Sequence, residues 1–440
     1  MRLIFILLLF CSTLNAQFIM VTGGGPDTQL GTPAEIADYY IAPAGNDVTG
    51  DGSFASPWFS LNEAWDNVSA GDTVYCRGGT YAFDEQQDLN GASGDGVDGY
   101  ISVIAYPGET PNFSKSGDLE LISGDGALIY MEADSTYWSG IEISGHDDEG
   151  DDWVHNAMWV HNSDHNYFVD FNVHDNGAGF LIRGNSDSNL VLNSDFHHNY
   201  DPAGSYGDAD GLQIAYNDDT TNINFVQGCR SWNNGDDGFD LWDNEGYVYF
   251  DSCWSWMNGY REDSTTTGGN GIGFKLGDSD NDTPNIFRTL TNCISFDNRS
   301  GGYSENNALC NMELFNCVAY SNGSSGTWEG GFRFTLGDNI PYYINNCIGY
   351  QNIPNNIYID DATNATNNTW NGVVTVTEAD FVSMDSTQLD NTRQGDGSLP
   401  VITFLNLVEG SDLIDAGIDV GLPYEGEAPD IGAFETVEDP

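Results

Sequence analysis

Aspartates and one lysine are concentrated in the centre of the chain, in three glycine-containing stretches. Asp210 lies in the first stretch, Asp236, Asp237 and Asp240 lie in the second, and Lys275 lies in the third. Four carboxylates brought together in space cannot all stay ionised without a cation beside them. Oxygen ligands in this number, with no cysteine or histidine among them, suit Ca²⁺. The alternative is a set of solvated aspartates in acidic turns, because the chain has 68 acidic residues.

Lys275 is one of only two lysines in the sequence, the other being Lys115. It stands in the stretch Gly273-Phe274-Lys275-Leu276-Gly277, 35 positions after Asp240 at the end of the aspartate cluster. An ion pair with an aspartate is the ordinary role for such a residue. A dication close by and partial burial would both lower the pKa of Lys275, which would suit it to act as a general base.

Together these groups suggest a reaction on a polymer of uronic acids. Binding of a substrate carboxylate to Ca²⁺ would acidify the proton on the adjacent ring carbon, C5. Lys275 would remove that proton, and the bond between C4 and its oxygen would break to leave an unsaturated sugar. This is β-elimination, which needs no activated water. A cation at the cleft would also explain how a chain of net charge -57 binds a polyanion.

A repeat from residue 160 onward indicates which elements position these groups. In seven segments an asparagine stands five positions after a small or apolar residue; the segments are 171–176, 194–199, 229–234, 253–258, 293–298, 317–322 and 347–352. Their asparagines are 23, 35, 24, 40, 24 and 30 residues apart. A base period near 23–24 with insertions of varied length is typical of a parallel β-helix. Stacked turns would bring Asp210, Asp237 and Lys275 to equivalent corners.

The repeat also predicts roles for its cysteines and asparagines. In five of the segments the first residue is cysteine, and stacked strands would align these side chains as buried small hydrophobes, with disulfides as the alternative. The asparagines should stack at a bend and bond the next turn through their amides. Outside the repeat, residues 60–68 predict a short capping helix. The segments Asp415–Gly417 and Pro429–Glu435 are interpreted as the closing turn of the same solenoid.

Composition and the N-terminus narrow the class of protein. The net charge of -57 argues against nucleic acid as a partner, since phosphate binding needs clustered Lys and Arg. Residues 1–16 read as a secretory signal cleaved after Ala16, with a lipoprotein at Cys11 as the alternative. Residues 17–37 read as an irregular leader, and residues 38–440 as a single catalytic domain. No later run is long enough for a membrane span. We expect a secreted monomer.

Three motifs of the central region resemble polysaccharide lyase family 9. They are Asn234-Gly-Asp-Asp-Gly-Phe-Asp-Leu-Trp242, Asn270-Gly-Ile-Gly-Phe-Lys-Leu-Gly277 and Asn292-Cys-Ile-Ser-Phe-Asp-Asn298. The resemblance is strong over about 205–325 and looser over 40–81. It implies a calcium-dependent pectate lyase on a right-handed parallel β-helix. It also implies that Asp210, Asp236, Asp237 and Asp240 are the calcium ligands and that Lys275 is the catalytic base.

Basic residues that could bind substrate carboxylates come from a short list. Candidates in or after the central turns are Arg230, Arg261, Arg288, Arg299 and Arg333, each with a structural salt bridge as the favoured alternative. Trp242 and Tyr260 could line the cleft, or equally pack in the scaffold.

Other functions are compatible with parts of the sequence. The polymer could be pectate, the rhamnogalacturonan backbone or another acidic polysaccharide. A β-helical glycoside hydrolase would use two aspartates around a water and would have no need of Lys275. A non-catalytic carbohydrate-binding solenoid would use calcium only to brace its turns.

Overall fold

A computed structural model describes residues 37–121, 126–147, 155–278, 286–324, 329–335, 340–359, 364–372 and 374–436. The predicted signal peptide and all of the leader before residue 37 lie outside these ranges. No helix in the described ranges is both long and apolar enough to cross a membrane.

The described chain forms three parallel sheets. Sheet I contains β1 (Tyr39–Ile41), β2 (Thr73–Cys76), β5 (Ile101–Ala105), β8 (Thr136–Ser139), β11 (Tyr167–Val169), β14 (Leu190–Leu192), β17 (Ile223–Gln227), β20 (Tyr247–Asp251), β23 (Phe287–Thr291), β26 (Asn311–Phe315), β29 (Tyr342–Asn345) and β32 (Ala365–Thr366). Sheet II contains β4 (Gln87–Leu89), β7 (Ile129–Met131), β10 (Asn156–His161), β13 (Ala178–Arg183), β16 (Leu212–Ala215), β19 (Phe239–Asp240), β22 (Ile272–Lys275), β25 (Gly301–Ser304), β28 (Gly330–Phe334) and β31 (Ile357–Ile359). Sheet III contains β3 (Gly79–Glu85), β6 (Pro111–Glu120), β9 (Glu142–Ser144), β12 (Asn172–His174), β15 (Asp195–His197), β18 (Arg230–Trp232), β21 (Trp254–Trp256), β24 (Ile294–Phe296), β27 (Val318–Tyr320) and β30 (Ile348–Tyr350).

From β2 onward the chain visits sheet I, then sheet III, then sheet II, and repeats this order coil after coil. Strands of successive coils pair in parallel, so each coil stacks on the one before it. The register follows the repeat, since Val191, Val226 and Phe250 of sheet I are partners along the ladder. The architecture is a right-handed parallel β-helix, as the sequence predicts.

The seven repeat asparagines form a continuous ladder at the bend between sheets III and II. Asn258 is typical: its amide nitrogen donates to Asn298 Oδ1 at 2.9 Å, and its own Oδ1 accepts from the amide nitrogen of Asn234 at 3.0 Å. The backbone N–H of Asn234 also donates to Asn258 Oδ1, at 3.1 Å. Each asparagine therefore satisfies polar groups of its neighbours in a bend that water does not reach.

Replacing Asn258 by alanine is expected to lower the free energy of unfolding by about 2–4 kcal/mol, because buried donors of Asn234 lose their acceptor. Chemical unfolding monitored by fluorescence would measure the change. Asn391→Ala is the control, since the Asn391 side chain is exposed. Equal stability of the two variants would show that the ladder bonds do not hold the coils together.

The five repeat cysteines also stack, and all of them are buried and free. Cys253 Sγ donates to the carbonyl oxygen of Val226 in the preceding coil, at 3.5 Å. No disulfide is present among the described residues, whose other cysteines, Cys76 and Cys310, are also free. The cysteines act as small apolar residues of the core, as predicted.

The predicted N-terminal helix is present as α1 (Leu61–Trp65). Ser60 caps it, because its side chain accepts a hydrogen bond from the backbone N–H of Glu63 at 3.0 Å. Leu61, Ala64 and Trp65 are buried, and Trp65 stacks on Trp138 with the ring centroids 6.3 Å apart. The helix thus closes the core over the first coils.

The C-terminal segment differs from the prediction. Its described part, 374–436, contains no strand of the three sheets and forms 3₁₀ turns at Glu378–Asp380 and Ser386–Asp390, following one at Thr369–Asn371. Instead of closing the solenoid it packs across the outer face of sheet III, where Phe404 contacts the rings of Phe296 and Tyr320. Aromatic residues on the outer face of sheet III, such as Trp232 and Trp256, need another segment to cover them. Their pattern in the sequence does not indicate which segment that is.

Candidate active site

Asp210 and Asp237 occupy the same position in successive coils, two residues before β16 and β19. Asp210 Oδ1 accepts a hydrogen bond from the backbone N–H of Asp237 at 2.9 Å. Asp237 Oδ1 in turn accepts from the backbone N–H of Ile272 in the following coil, at 2.6 Å. One oxygen of each carboxylate is thereby fixed by the backbone, and the other is free to face the neighbouring side chains.

A second row of polar side chains stands beside these carboxylates on the outer face of sheet II. Gln213 of β16 is the register partner of Asp240 of β19, and Asp240 is the partner of Lys275 of β22. Side chains alternate along a strand, so the residues before Asp240 and Lys275, Phe239 and Phe274, point inward and stack at 4.9 Å between ring centroids. The apolar stack fixes the strands that present the polar row.

Gly238 allows this corner to form next to the asparagine ladder. A Cβ placed on Gly238 would lie 2.2 Å from Ser255 Oγ and 2.8 Å from the amide nitrogen of Asn258. The glycine in Asp237-Gly238-Phe239 is therefore required by close packing and not by chemistry.

The structure brings Asp210, Asp237, Asp240 and Lys275 together. A carboxylate oxygen from each of the three aspartates lies within 4.8 Å of the others, and all three residues are buried. Lys275 Nζ lies 3.0 Å from Asp237 Oδ2 and 3.1 Å from Asp240 Oδ2. The Gln213 amide nitrogen bridges Asp210 Oδ2 at 3.0 Å and Asp240 Oδ2 at 3.2 Å.

Asp236 lies beside this group but is not one of the three clustered aspartates. It is fully buried, and its Oδ1 accepts a hydrogen bond from the backbone N–H of Asn270. Its Oδ2 has no hydrogen-bond partner in the structure. Asp208, two residues before Asp210, is exposed.

The electrostatics of the site follow from the burial of several carboxylates close to one another. Burial, then repulsion by Asp240, raises the pKa of Asp210 well above its usual range. Burial followed by the charge of Asp237 does the same for Asp236, and burial also raises the pKa of Asp237, although Lys275 opposes it. Four carboxylates against one ammonium leave the site short of positive charge.

Among the protein's own groups, two influences act on the pKa of Lys275 in opposite directions. Burial lowers the pKa of Lys275, but attraction from Asp240, Asp237 and the other two aspartates outweighs burial and holds the pKa well above its ordinary value. The prediction counted on a dication next to the lysine, whereas protein groups alone surround it with negative charge. Its ammonium group therefore serves as the counter-ion of the carboxylates, which is the ion pair considered as its ordinary role.

The donor set fits a hard divalent cation. Every ligand candidate is a carboxylate oxygen, and three of these buried oxygens have no hydrogen-bond partner: Asp236 Oδ2, Asp240 Oδ1 and Asp237 Oδ2, the last of which pairs with Lys275. Buried acceptors without donors are costly unless a cation binds them. Several carboxylates in a group with no nitrogen or sulfur ligand favour calcium over transition metals.

The five arginines predicted as substrate ligands lie in different environments. Arg230 is buried on sheet III, pairs with Asp195 at 2.6 Å and donates to the carbonyl oxygen of Leu389 at 2.8 Å. Arg288 on sheet I is fully buried and donates to backbone carbonyls, including Leu276 O at 3.3 Å. These contacts give both side chains a structural role.

The other three arginines are not buried. Arg299 donates to the carbonyl oxygen of Gly269 at 2.6 Å and so holds the loop that contacts Asp236. Arg261 donates to the carbonyl oxygen of Thr267 at 3.0 Å. Arg333 is on the outer face of sheet II, in the row of Lys275, and contacts Glu305 at 3.4 Å and Glu329 at 3.5 Å. Substrate binding by these residues stays a prediction.

The sequence did not identify Gln213 as a residue of the site, and it left open whether Trp242 lines the cleft. Gln213 follows Gly211-Leu212 as Asp240 follows Gly238-Phe239 and as Lys275 follows Gly273-Phe274, so its repeat position could have identified it. Trp242 is 38% exposed, and Lys275 Nζ lies 4.9 Å from the centroid of a Trp242 ring. Trp242 therefore lies at the site and not in the core.

Comparison with known proteins adds independent findings. A family described as the Pel9A-like, right handed beta helix region matches residues 39–352. Pectate lyase L of Dickeya dadantii (strain 3937) is 31% identical over 407 residues, which are 90% of this chain and 90% of that protein.

Two solved structures have the same fold. The crystal structure of pectate lyase Pel9A superposes with a TM-score of 0.72 at 28% identity and covers 91% of this chain and 98% of its own. The structure of a rhamnogalacturonan lyase has a TM-score of 0.69 at 24% identity and covers 84% of this chain and 96% of its own; at that identity the likeness shows the fold alone.

Proposed function

Because the chain belongs to the family of Pel9A-like right-handed β-helix proteins and is a polysaccharide lyase, we propose that it cleaves pectate or a closely related galacturonan by β-elimination. In this proposal Asp210, Asp236, Asp237 and Asp240 hold a calcium ion, and Lys275 is the base. The pectate lyases to which the chain is similar support the choice of polymer.

The observation that carries the proposal is the position of Lys275 beside three clustered carboxylates on the outer face of one sheet. This is the only lysine on sheet II among the described residues. A hydrolase needs two carboxylic groups that flank the glycosidic bond, about 6.5–9.5 Å apart around a water in inverting enzymes and about 5–5.5 Å apart in retaining ones. Here the carboxylates share one corner instead, which suits cation binding better than acid and base roles on opposite faces.

Calcium, when bound by these aspartates, would supply positive charge to a substrate carboxylate and so make the C5 proton easier to remove. The protein's own contribution is to hold the carboxylates before substrate arrives. Backbone N–H groups fix Asp210 and Asp237, and Gln213 bridges Asp210 and Asp240. Such preorganisation avoids rearrangement during the reaction.

Lys275 then handles the proton. While it pairs with Asp237 and Asp240, its pKa is held high and it cannot accept a proton. Once the charge of these carboxylates is compensated, burial is the remaining influence and lowers the pKa of Lys275, which is the condition for a base. Its neutral Nζ takes the C5 proton, and the electron pair of the C5–H bond forms the C4–C5 double bond. The bond from C4 to its oxygen breaks, and this oxygen leaves with the other half of the polymer and takes up a proton from solvent water.

We also propose that residues 1–16 direct export and that residues 38–440 act as one domain. The enzyme then works as a secreted monomer on an acidic polysaccharide outside the cell. Binding of a polyanion by a chain of net charge -57 then depends on the cation and on salt in the surrounding solution.

The experiment is an ultraviolet absorbance assay for the new carbon–carbon double bond. Purified protein with calcium is incubated separately with polygalacturonate, rhamnogalacturonan backbone and alginate. The proposal predicts a rise in absorbance on polygalacturonate that exceeds the rise on the other two polymers. A larger rise on rhamnogalacturonan would change the substrate, and no rise on any polymer would overturn the proposed function.

A further inference from the structure

Arg183, at the end of β13, lies against two aromatic rings. Its guanidinium carbon lies 4.9 Å from the centroid of a Trp159 ring and 4.3 Å from that of Tyr216. Both contacts are within the range of cation–π attraction. Two aromatic rings therefore hold the guanidinium in place without using its N–H donors.

Among the residues that the structure describes, Arg183 is the one lysine or arginine whose side chain makes no hydrogen bond or ion pair. The others pair with carboxylates or donate to backbone carbonyls; they are Arg77, Lys115, Arg230, Arg261, Lys275, Arg288, Arg299, Arg333 and Arg393. The chain has 68 acidic residues against 11 basic ones. A fixed arginine without an acidic partner is therefore unusual here, and its five donors are available to a ligand.

Arg183 shares a face of sheet II with the proposed catalytic groups. Leu181 of β13 is the register partner of Gln213, which lies in the row of Asp240 and Lys275. Side chains two residues apart lie on the same face of a strand, so Arg183 is on the outer face as well. Three strand spacings, about 14 Å, separate β13 from β22. Tyr216, which is 37% exposed, and Trp242 lie along this path, and Tyr216 N donates to Trp242 O at 3.1 Å.

We propose that Arg183 binds a carboxylate of the polysaccharide several sugar residues away from the bond that is cleaved. This inference rests on the proposed function, because it requires a uronic-acid polymer lying along sheet II. The planar guanidinium can donate two parallel hydrogen bonds to a carboxylate. No internal ion pair has to break first, and the rings have already restricted the side chain. Trp159 and Tyr216 are positioning residues for the guanidinium.

The test is affinity for galacturonan oligomers of defined length, measured by titration calorimetry in a Lys275→Ala background, in which cleavage is expected to be too slow to interfere. Adding Arg183→Gln is expected to weaken binding of long oligomers roughly tenfold and to leave binding of the shortest oligomers unchanged. Arg183→Lys should fall between, since it keeps the charge but not the two-donor geometry. Oligomers whose carboxylates have been reduced to alcohols should bind both proteins equally.

Arg77→Gln is the matched control. Arg77 also lies over two aromatic rings, those of Phe54 and Tyr106, at 4.8 Å and 4.6 Å, but it is paired with Glu109 at 2.8 Å. Its replacement should leave the affinity for oligomers unchanged. Unfolding midpoints of all variants establish that each is folded.

If long oligomers bind the Lys275→Ala protein with the same affinity whether residue 183 is arginine or glutamine, the inference is overturned and the proposed function is unaffected. Rapid cleavage of oligomers by the Lys275→Ala protein would instead contradict the proposed base. In that case the KM and kcat of Arg183→Gln in the otherwise native protein decide the inference: a tenfold higher KM with unchanged kcat supports it, and an unchanged KM overturns it.

Discussion

Replacing Lys275 by alanine is expected to lower kcat on polygalacturonate roughly a thousandfold, within the range of 10²–10⁴ that a general base contributes. The loss follows from the absence of any other described group at the site that can accept the C5 proton without giving up a cation ligand. Initial rates of double-bond formation at saturating calcium would measure it. Calcium affinity should not fall, because the change removes a competing positive charge from Asp237 and Asp240.

The Lys275→Arg variant distinguishes a role of Lys275 as a base from a role as a fixed positive charge. Arginine would preserve the ion pairs but stays protonated, so the variant should be as inactive as Lys275→Ala. Lys115→Ala is the control, because Lys115 is the only other lysine in the sequence and lies on sheet III with Asp147 3.0 Å away. If Lys275→Ala kept more than a tenth of the native kcat, another residue would have to be the base.

Replacing Asp237 by asparagine is expected to weaken calcium binding at least a hundredfold and to abolish activity at calcium concentrations that saturate the native enzyme. Asp237 is fully buried and lies between Asp210, Asp240 and Lys275, so its charge acts on the whole group. The neutral amide keeps the volume but removes one negative ligand. Calorimetric titration with calcium would measure the affinity.

Thermal unfolding is a second measurement of the effect of Asp237→Asn on calcium binding. Calcium at about 100 times its Kd should stabilise the native protein by about 2.7 kcal/mol, and a chelator should reverse the effect and stop the reaction. At that calcium concentration the Asp237→Asn protein should be neither stabilised nor active. Asp208→Asn is the control, since Asp208 belongs to the same acidic region but is exposed. Full activity of the native protein in chelator would contradict the proposed role of calcium.

The scaffold could be predicted from the sequence because its repeat positions carry physical requirements. Asn258 and its equivalents must bond to each other at a buried bend, and Cys253 and its equivalents must be small and apolar. These demands recur in every coil and leave a visible period. The C-terminal segment has no repeat, since it packs across several coils of sheet III, and its position could not be predicted from the period.

The site was predictable to a lesser extent. The repeat register aligns Asp210, Asp237, Asp240 and Lys275, and the structure brings these four together. The pKa of Lys275 could not be obtained from spacing, because it depends on the balance between burial and four nearby carboxylates. The environment of an arginine could not be predicted from its spacing either. Arg230 was a candidate for substrate binding but is buried under the C-terminal segment. Arg183 was not a candidate, yet its side chain is unpaired on sheet II.

The most direct measurement of elimination is the mass of the reaction products formed from polygalacturonate in water enriched in heavy oxygen. Elimination by Lys275 predicts oligomers with an unsaturated end, each lighter by one water than its saturated counterpart, and no heavy oxygen at the cleaved bond. Saturated products that carry heavy oxygen would show that water attacks the glycosidic bond, and would contradict the assignment of Lys275 and the aspartate cluster to β-elimination.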